Sequence, residues 1–269
     1  MIRFFLLVIL SGLFTAFLPG QENSNILDIK KNFKKVRGGF YMSRYETTNK
    51  EYREFLDFLQ ASGQKELYTS CLPDTNSWAQ QNGDNVTYVS YYFRHKAYDN
   101  YPVVGITYAA ANAYCAWLTQ AYKNGGDKSA GKVRFGLPSK EEWVFAAGAG
   151  DTSKNFPWGR GFIKNNRGEA LCNYRHVNLI FDSAAKKYIE TNEVAIADDR
   201  RQITSPVNAF FPNDFGLYNL SGNAAEMVRE EGVTKGGSYN DPPYLVMIQS
   251  EKKYSAPSAE IGFRVAMYR

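Results

Sequence analysis

The sequence predicts a single loop-rich α+β domain. Three segments begin with a helix-capping residue and continue with apolar residues at helical spacing, whereas the segments typical of strands are short. The stretches from residue 71 to 100 and from residue 155 to 201 follow neither the helical nor the strand period. Loops of that length inside a compact domain are usually functional or stabilised by a metal ion. With 44% hydrophobic residues, the 269-residue chain can bury a substantial core.

The first helix is predicted to begin after Thr48. Thr48 can cap this helix, and Glu51 can reach back to the backbone, which is the pattern of a capping box. Four apolar residues then recur at the spacing of one helical face: Tyr52, Phe55, Leu56 and Leu59. Gly63 is expected to end the helix.

Two further helices and five strands are predicted. The second helix follows Thr107 and runs to Gly125, and the third starts at another capping box, formed by Ser139 and Glu142. Strand-like pieces are expected at residues 39–45, 103–107, 204–210, 234–238 and 263–267. No linker rich in proline or serine and no internal repeat divides this part of the chain, so residues 34–269 are interpreted as one domain.

The N-terminus has the pattern of an export signal. Arg3 supplies the positive charge, and residues 4–17 form a mostly apolar stretch that is short for a transmembrane span. We expect a signal peptide over residues 1–20, cleaved after Gly20, and an N-terminal arm over residues 21–33. An uncleaved anchor is the alternative. No cysteine lies near the expected cleavage point, which argues against lipoprotein processing.

Charge and cysteine content narrow the possible functions. A net charge of +5 without a clustered basic stripe argues against nucleic-acid binding. The three cysteines, Cys71, Cys115 and Cys172, fit no zinc spacing. One disulfide with one free thiol is compatible with an exported protein, but the pairing stays open at this level.

Motifs in six successive segments of the chain resemble those of the formylglycine-generating enzyme family, also called sulfatase-modifying factors. These segments are residues 41–49, 101–105 with 113–117, 137–143, 156–159, 216–226 and, at the end of the chain, 235–239 with 262–266. The resemblance implies the fold of that family, a complex C-type-lectin-like variant with modest regular structure and long loops.

A narrower resemblance concerns residues 72–78 and 92–105. These segments resemble the branch of the family found in gliding-motility and type IX secretion proteins of the cell envelope. The resemblance implies an exported protein in the periplasm, at the outer membrane or on the cell surface, with envelope proteins as partners. Members of that branch are commonly lipoproteins, and this chain departs from them because it lacks the lipidated cysteine. No transmembrane span is expected in the mature chain.

The family resemblance also bears on catalysis. In active members, two thiols in the segment after the KGGSY strand hold copper, a soft ion that thiolates favour. The matching positions are expected to be Val246 and Glu251, neither of which is a thiol. We therefore expect no catalytic residues and no copper. The alternative is a divergent oxidoreductase that uses Glu251 and His176 in a new way.

Calcium is the cofactor that the resemblance implies. The family's GLYN-x-x-GN-x-x-E segment wraps one calcium ion, and its ligands would be Asn219, Gly222, Ala224 and Glu226. The alternative is a capped turn in which Glu226 pairs with a nearby arginine. A second, weaker calcium site would use Asn178 and Leu179 with Asp199 and Arg201. A calcium-dependent glycan binder is a further alternative.

A partner is expected to contact the aromatic stretch near residue 90. The predicted contact residues are Tyr91, Tyr92, Phe93, Arg94 and His95, because tyrosine and arginine are favoured as interface anchors. A half-buried strand is the alternative for this stretch. Together these features predict a catalytically silent binding or scaffold module.

Overall fold

A computed structural model of the protein describes residues 31–79, 86–125, 130–159, 161–184, 186–191 and 203–269. Within these ranges the chain combines α-helices with short strands, so the predicted mixture of helix and sheet is confirmed. The helices are α1 (Asn49–Ala61), α2 (Lys65–Cys71), α3 (Val86–Tyr91), α4 (Tyr108–Asn124) and α5 (Lys140–Ala147).

The three predicted helices are α1, α4 and α5, and their predicted caps are confirmed. Thr48 and Glu51 form a capping box at α1, Thr107 caps α4, and Ser139 and Glu142 form a capping box at α5. Helix α1 ends at Ala61, two residues before Gly63, whose φ is +72°. Helices α2 and α3 were not predicted from the sequence, because seven and six residues are too few to show a periodic apolar face.

Two four-stranded sheets form the rest of the frame. The first is antiparallel, in the order β1 (Phe33–Arg37), β2 (Phe40–Ser43), β10 (Ala266–Tyr268) and β3 (Arg134–Gly136). The second has the order β8 (Glu251–Lys253), β7 (Val233–Lys235), β6 (Ala225–Met227) and β9 (Ile261–Phe263), with β6 parallel to β9. Strands β4 (Asn178–Asp182) and β5 (Lys187–Thr191) pair only with each other in the described residues.

The strand predictions for residues 103–107 and 204–210 were wrong. Neither segment joins a sheet: Gly105 interrupts the first with a φ of 73°, and residues 207–210 of the second form a turn and a bend. Their backbone bonds go instead to irregular segments, as when Val103 N–H donates to Thr47 O at 2.8 Å and Val207 N–H donates to Asn100 O at 2.9 Å. The prediction at 263–267 covers two strands, β9 and β10, which belong to different sheets.

Aromatic side chains fill the largest core cluster, which lies between α1, α4 and the second sheet. The rings of Tyr52 and Tyr114 stack with centroids 5.8 Å apart, and Phe263 packs edge-on against Tyr114 at 5.4 Å. A second cluster surrounds Trp143 of α5 and Met42 of β2. Burial of each large apolar side chain contributes roughly 1.5–3 kcal/mol. The two clusters hold the helices against the sheets and so fix the segments that connect them.

The predicted signal peptide, residues 1–20, lies outside the described residues, as does the arm up to residue 30. The first sheet begins at Phe33, and the predicted domain boundary at residue 34 stays a prediction. No helix in the described ranges combines the length and the apolar character needed to cross a membrane.

Candidate functional site

The chain between Gly216 and Glu226 curls tightly before it enters β6. Asn219, Gly222 and Asn223 have left-handed φ values of 51°, 70° and 69°. At Gly222 a side chain is sterically excluded, since a Cβ there would lie 2.0 Å from the carbonyl oxygen of Asn173. Asparagine tolerates this backbone region better than other residues with side chains. The curl turns the side chains of Asn219 and Asn223 inward, where both are buried.

Glu46, which is more than 170 residues away in the sequence, holds this curl by hydrogen bonds. Its carboxylate accepts hydrogen bonds from Asn219 Nδ2 at 3.0 Å and from Asn223 Nδ2 at 2.9 and 3.1 Å. The backbone N–H of Ala224 donates to it at 3.3 Å. Glu46 lies just before α1 and is 1% exposed, so one buried carboxylate joins the start of the first helix to the loop that precedes β6.

Glu226 is engaged by Arg264, and both side chains are fully buried. Oε1 of Glu226 accepts from Arg264 Nη2 at 2.6 Å and from Nε at 3.0 Å, while Oε2 accepts from Trp143 Nε1 at 2.7 Å and from Arg264 Nε at 3.1 Å. The remaining guanidinium donors reach the carbonyl oxygens of Ser43, Arg44 and Tyr218 at 2.6–3.1 Å. The structure thus has the arginine pairing that the sequence left as the alternative for Glu226.

Two buried carboxyl groups therefore lie near one guanidinium. Burial is the main reason that the pKa of Glu46 rises from its ordinary value of 4.5 to about 8. Arg264 opposes this rise, the Glu226 carboxylate adds to it, and the amides of Asn219 and Asn223 oppose it. Burial thus favours the neutral form of Glu46, while the Glu226 carboxylate pairs with Arg264.

The predicted calcium ligands fit a calcium ion only in part. Oδ1 of Asn219 is buried without a hydrogen-bond partner in the described residues, which suits an oxygen ligand of a hard cation. Gly222 and Ala224 can contribute carbonyl oxygens from the same curl. Glu226 does not fit, because each of its carboxylate oxygens already accepts two hydrogen bonds.

Two of the four residues of the second predicted calcium site lie outside what the structure describes. Asp199 and Arg201 lie outside the described residues. Asn178 and Leu179 begin strand β4, which pairs with β5 in the register Asn178↔Thr191 and Leu179↔Glu190. This second calcium site stays a prediction.

The segment after Ser238 contains a buried polar cluster that the sequence analysis missed. Asp241 accepts hydrogen bonds from the N–H and Oγ of Ser238, both at 2.8 Å, and forms an ion pair with Lys252 Nζ at 2.6 Å. Ser238 Oγ and Lys252 Nζ also approach Glu260 Oε2, at 3.1 and 3.4 Å. Asp241 and Ser238 are 3% and 0% exposed. We call this cluster of Ser238, Asp241, Lys252 and Glu260 the charged lock, because its contacts hold the segment after Ser238 in place.

The structure does not bring Val246 and Glu251 into one pocket. Val246 is fully buried beside Phe156, Cys172 and Tyr174. Glu251 begins β8, where its half-exposed carboxylate pairs with Lys140 at 3.4 Å. The buried polar position of this segment is therefore Asp241 rather than Glu251. A sequence signal existed, since Asp241 comes only two residues after the KGGSY motif at residues 235–239.

Cysteine chemistry is suppressed by burial. Cys71, Cys115 and Cys172 are all buried and free, which settles the pairing that the sequence left open. Cys71 and Cys115 belong to the core around α1 and α4, whereas Cys172 packs beside Val246. Burial raises the pKa of each thiol, to about 12 for Cys115. Each thiol is therefore protonated at neutral pH, and the thiolate is the form that binds soft metals and attacks electrophiles.

The predicted contact stretch divides into a buried and an exposed part. Tyr92 and Phe93 are 1% and 7% exposed, so their assignment to a partner surface was wrong. Both residues lie in the turn that follows α3, and the Tyr92 hydroxyl donates to Pro102 O at 2.6 Å. Tyr91, Arg94 and His95 are exposed, and the rings of Tyr91 and His95 meet edge-on at 6.0 Å. The other candidate histidine, His176, stacks on Tyr174 at 4.4 Å.

Comparison with known proteins agrees with these motifs. The family model described as "Sulfatase-modifying factor enzyme 1-like domain" matches residues 7–269. "Inactive C-alpha-formylglycine-generating enzyme 2" from Bos taurus is 36% identical over 127 residues, which is 47% of this chain and 32% of that protein. "Formylglycine-generating enzyme" from Mus musculus is 24% identical over 280 residues, or 85% of this chain and 66% of that one. The chain thus spans between a third and two thirds of these curated relatives.

A solved structure supports the fold. PvdO from Pseudomonas aeruginosa superposes with a TM-score of 0.53 at 21% identity, covering 86% of this chain and 80% of the other. At that identity the likeness concerns the fold alone.

Proposed function

Because the chain belongs to the sulfatase-modifying factor enzyme 1-like family, we propose that it is a catalytically silent member that serves as an exported binding or scaffold module. Its partners would be proteins of a cell-envelope assembly of the type IX secretion or gliding-motility kind. The C-type-lectin-like frame would supply the rigid support from which loops contact the partner. Fold alone does not fix function, so the proposal depends on the site.

The observation that carries the proposal is the charged lock between Asp241 and Lys252. An oxygen-activating copper site would need soft thiolates in this segment. The segment instead pairs the buried carboxylate of Asp241 with the partly exposed ammonium of Lys252 at 2.6 Å, and it buries the apolar side chain of Val246. Oxygen and ammonium groups that satisfy each other leave no ligand set for copper(I). A relative named as an inactive enzyme supports the same conclusion for this chain.

The thiols elsewhere do not replace the missing pair. Cys172 is next to Val246, but no second cysteine shares its cluster. Its pKa is raised by burial, which further disfavours metal binding.

Oxygen consumption tests the catalytic half of the proposal. The purified full chain, supplied with copper(I), a thiol reductant and a cysteine-containing peptide, is expected to consume no more oxygen than the buffer with copper. Peptide mass is expected to stay unchanged. Copper-dependent oxygen uptake with conversion of the peptide cysteine would instead establish the divergent oxidoreductase.

A matched pair of surface variants tests the binding half. Tyr91 and Tyr244 are 52% and 51% exposed, but only Tyr91 adjoins Arg94 and His95. Pull-down from envelope membranes with wild type, Tyr91→Ala and Tyr244→Ala baits is expected to recover one protein with wild type and Tyr244→Ala but not with Tyr91→Ala. Equal recovery by all three baits would remove this contact surface. Recovery of glycans, lost on chelation, would favour the glycan binder.

A further inference from the structure

A groove beside the first sheet has no role in the proposed function. It has a volume of about 380 Å³ and lies between helix α4 and edge strand β3. Asn112, Ala116 and Thr119 line it from α4, where their spacing places them on one helical face. Arg134 lines it from β3 and Arg229 from the segment after β6.

Arg134 is the charge that gives this groove its character. Its guanidinium lies over the ring of Tyr268, with Cζ 4.4 Å from the centroid, and the side chain is exposed. Among the described residues it has neither a hydrogen-bond acceptor nor an ion-pair partner. A guanidinium that stacks on a ring keeps its N–H edge available for an oxyanion.

Gly136 makes this placement possible. A Cβ at Gly136 would lie 3.3 Å from Nη1 of Arg134, closer than most real contacts. The guanidinium therefore lies along its own strand, over the space that a side chain at Gly136 would occupy. A Cβ there would require the guanidinium to move by a few tenths of an ångström.

Arg229 supplies the second wall of the groove and is already paired. Its Cζ lies 5.5 Å from the same ring, and its Nη2 donates to Glu142 at 2.8 Å and to the Tyr268 hydroxyl at 2.5 Å. Glu142 thus offsets the charge of Arg229. The charge of Arg134 remains, so the groove carries a local excess of one positive charge.

The interior of the groove is largely apolar. Cys115, Phe135 and Leu137 line it but are at most 3% exposed, so the exposed Ala116 and the half-buried Thr119 offer the apolar contacts that a ligand can reach. The hydroxyl of Thr119 already has two hydrogen-bond partners, since it donates to Cys115 O at 2.9 Å and accepts from Phe135 N at 3.0 Å. The groove therefore offers one charged edge and an apolar bed rather than a ring of polar groups.

We propose that this groove binds an oxyanion carried on an apolar body, with Arg134 as the charged anchor and Tyr268 as its support. The head group would be a carboxylate or a phosphate, because a planar guanidinium pairs with both. The apolar body would lie against Ala116 and the methyl group of Thr119.

Titration of the purified chain with three small probes tests this proposal. Hexanoate has the charge and the apolar body, hexanamide has the body without the charge, and inorganic phosphate has the charge without the body. We expect saturable chemical-shift changes with hexanoate at residues of α4 and β3, and none with hexanamide. Equal binding of hexanoate and hexanamide, or no saturable binding of any anion, would overturn the proposal. Phosphate binding as tight as that of hexanoate would refute the role of the apolar body.

Three variants separate the anchor from general charge effects. Arg134→Gln is expected to weaken hexanoate binding by about tenfold or more, since a hydrogen bond to a charged group contributes about 1.5–3 kcal/mol. Gly136→Ala should weaken it in the same direction while keeping the net charge. Arg167→Gln, at an exposed loop position, should leave binding unchanged. An equal loss of hexanoate binding in Arg134→Gln and Arg167→Gln would show that overall charge causes the effect and would contradict the role of Arg134 as the anchor.

Discussion

Arg264 organises the interior of the molecule at the scale of single residues. Its guanidinium is fully buried and reaches Glu226, together with carbonyl oxygens before α1 and in the loop before β6. It therefore ties together segments that are about 220 residues apart in the sequence. A buried arginine of this kind contributes to specificity only while its partner carboxylate is present.

Replacing Glu226 by glutamine tests the pairing directly. Glu226→Gln leaves Arg264 as a buried charge without its partner, so we expect the free energy of unfolding to fall by about 3–5 kcal/mol. The loss should be the same in calcium and in chelator, because the partner is an arginine. Urea unfolding in both media measures it. A loss confined to calcium-containing buffer would restore Glu226 as a metal ligand.

Asn219 is the residue on which calcium binding depends in this account. We expect roughly millimolar calcium to raise the melting temperature of the wild-type protein, as weak oxygen sites bind in that range. Asn219→Gly should abolish the rise, since glycine keeps the left-handed backbone and removes the free Oδ1. Glu226→Gln should keep it. A wild-type melting temperature identical in calcium and chelator would end the calcium assignment.

Glu46 and Lys235 predict a minimum of stability near pH 8. The folded pKa of Glu46 is about 8 against 4.5 when unfolded, so the folded state binds more protons and stability falls as pH rises through that window. Burial lowers the pKa of Lys235 from 10.5 to about 8, so stability rises again above pH 8. Urea unfolding in chelator across pH 5–10 checks this. Glu46→Gln should flatten the acid side and Lys235→Met the alkaline side. A wild-type profile that only falls with pH would contradict the assignment of Lys235, and one that only rises would contradict that of Glu46.

At the scale of elements, predictability followed the length of each regular segment. Helices α1, α4 and α5 were predicted because each has a cap. The two short helices, α2 and α3, have too few residues to show a helical period. Residues 103–107 have the composition of a strand, but their N–H groups bond to the segment before α1 and to residues 258 and 261. Composition alone could not reveal these partners.

The charged lock gives an element-scale prediction for the segment after Ser238. Asp241→Ala removes the acceptor of two Ser238 donors and of Lys252, so we expect a loss of about 1–3 kcal/mol and faster hydrogen exchange at residues 238–250. Asp214→Ala is the matched control, because its carboxyl is 84% exposed and its ion pair with Lys154 is long, at 3.5 Å. Similar losses in the two variants would show that Asp241 does not fasten the segment.

For the whole molecule, the order of motifs along the sequence was sufficient to predict the family and its single domain. The site was less predictable, because its members meet only after folding. Glu46 and Asn223 are 177 positions apart, and neither residue by itself has a signal for the contact. Glu226 was expected to be a calcium ligand, with an arginine pair as the alternative, and only the folded structure identifies that arginine as Arg264.

The same distinction applies to the surface around α3. An aromatic run in the sequence cannot be divided into core and surface without the fold. Packing against Trp78 at 4.5 Å takes Tyr92 inside, whereas Tyr91 remains outside. The proposed partner surface is therefore smaller than the predicted one and comprises the exposed residues Tyr91, Arg94 and His95.

Copper(I) affinity tests the central claim most directly. Titration of the reduced, full chain with copper(I) against a competing chelator, alongside Cys172→Ser, measures whether any thiol site exists near Val246. The account predicts that wild type and variant both leave the copper with the chelator. One equivalent of copper(I) retained by the wild type and lost in Cys172→Ser would contradict the catalytically silent assignment.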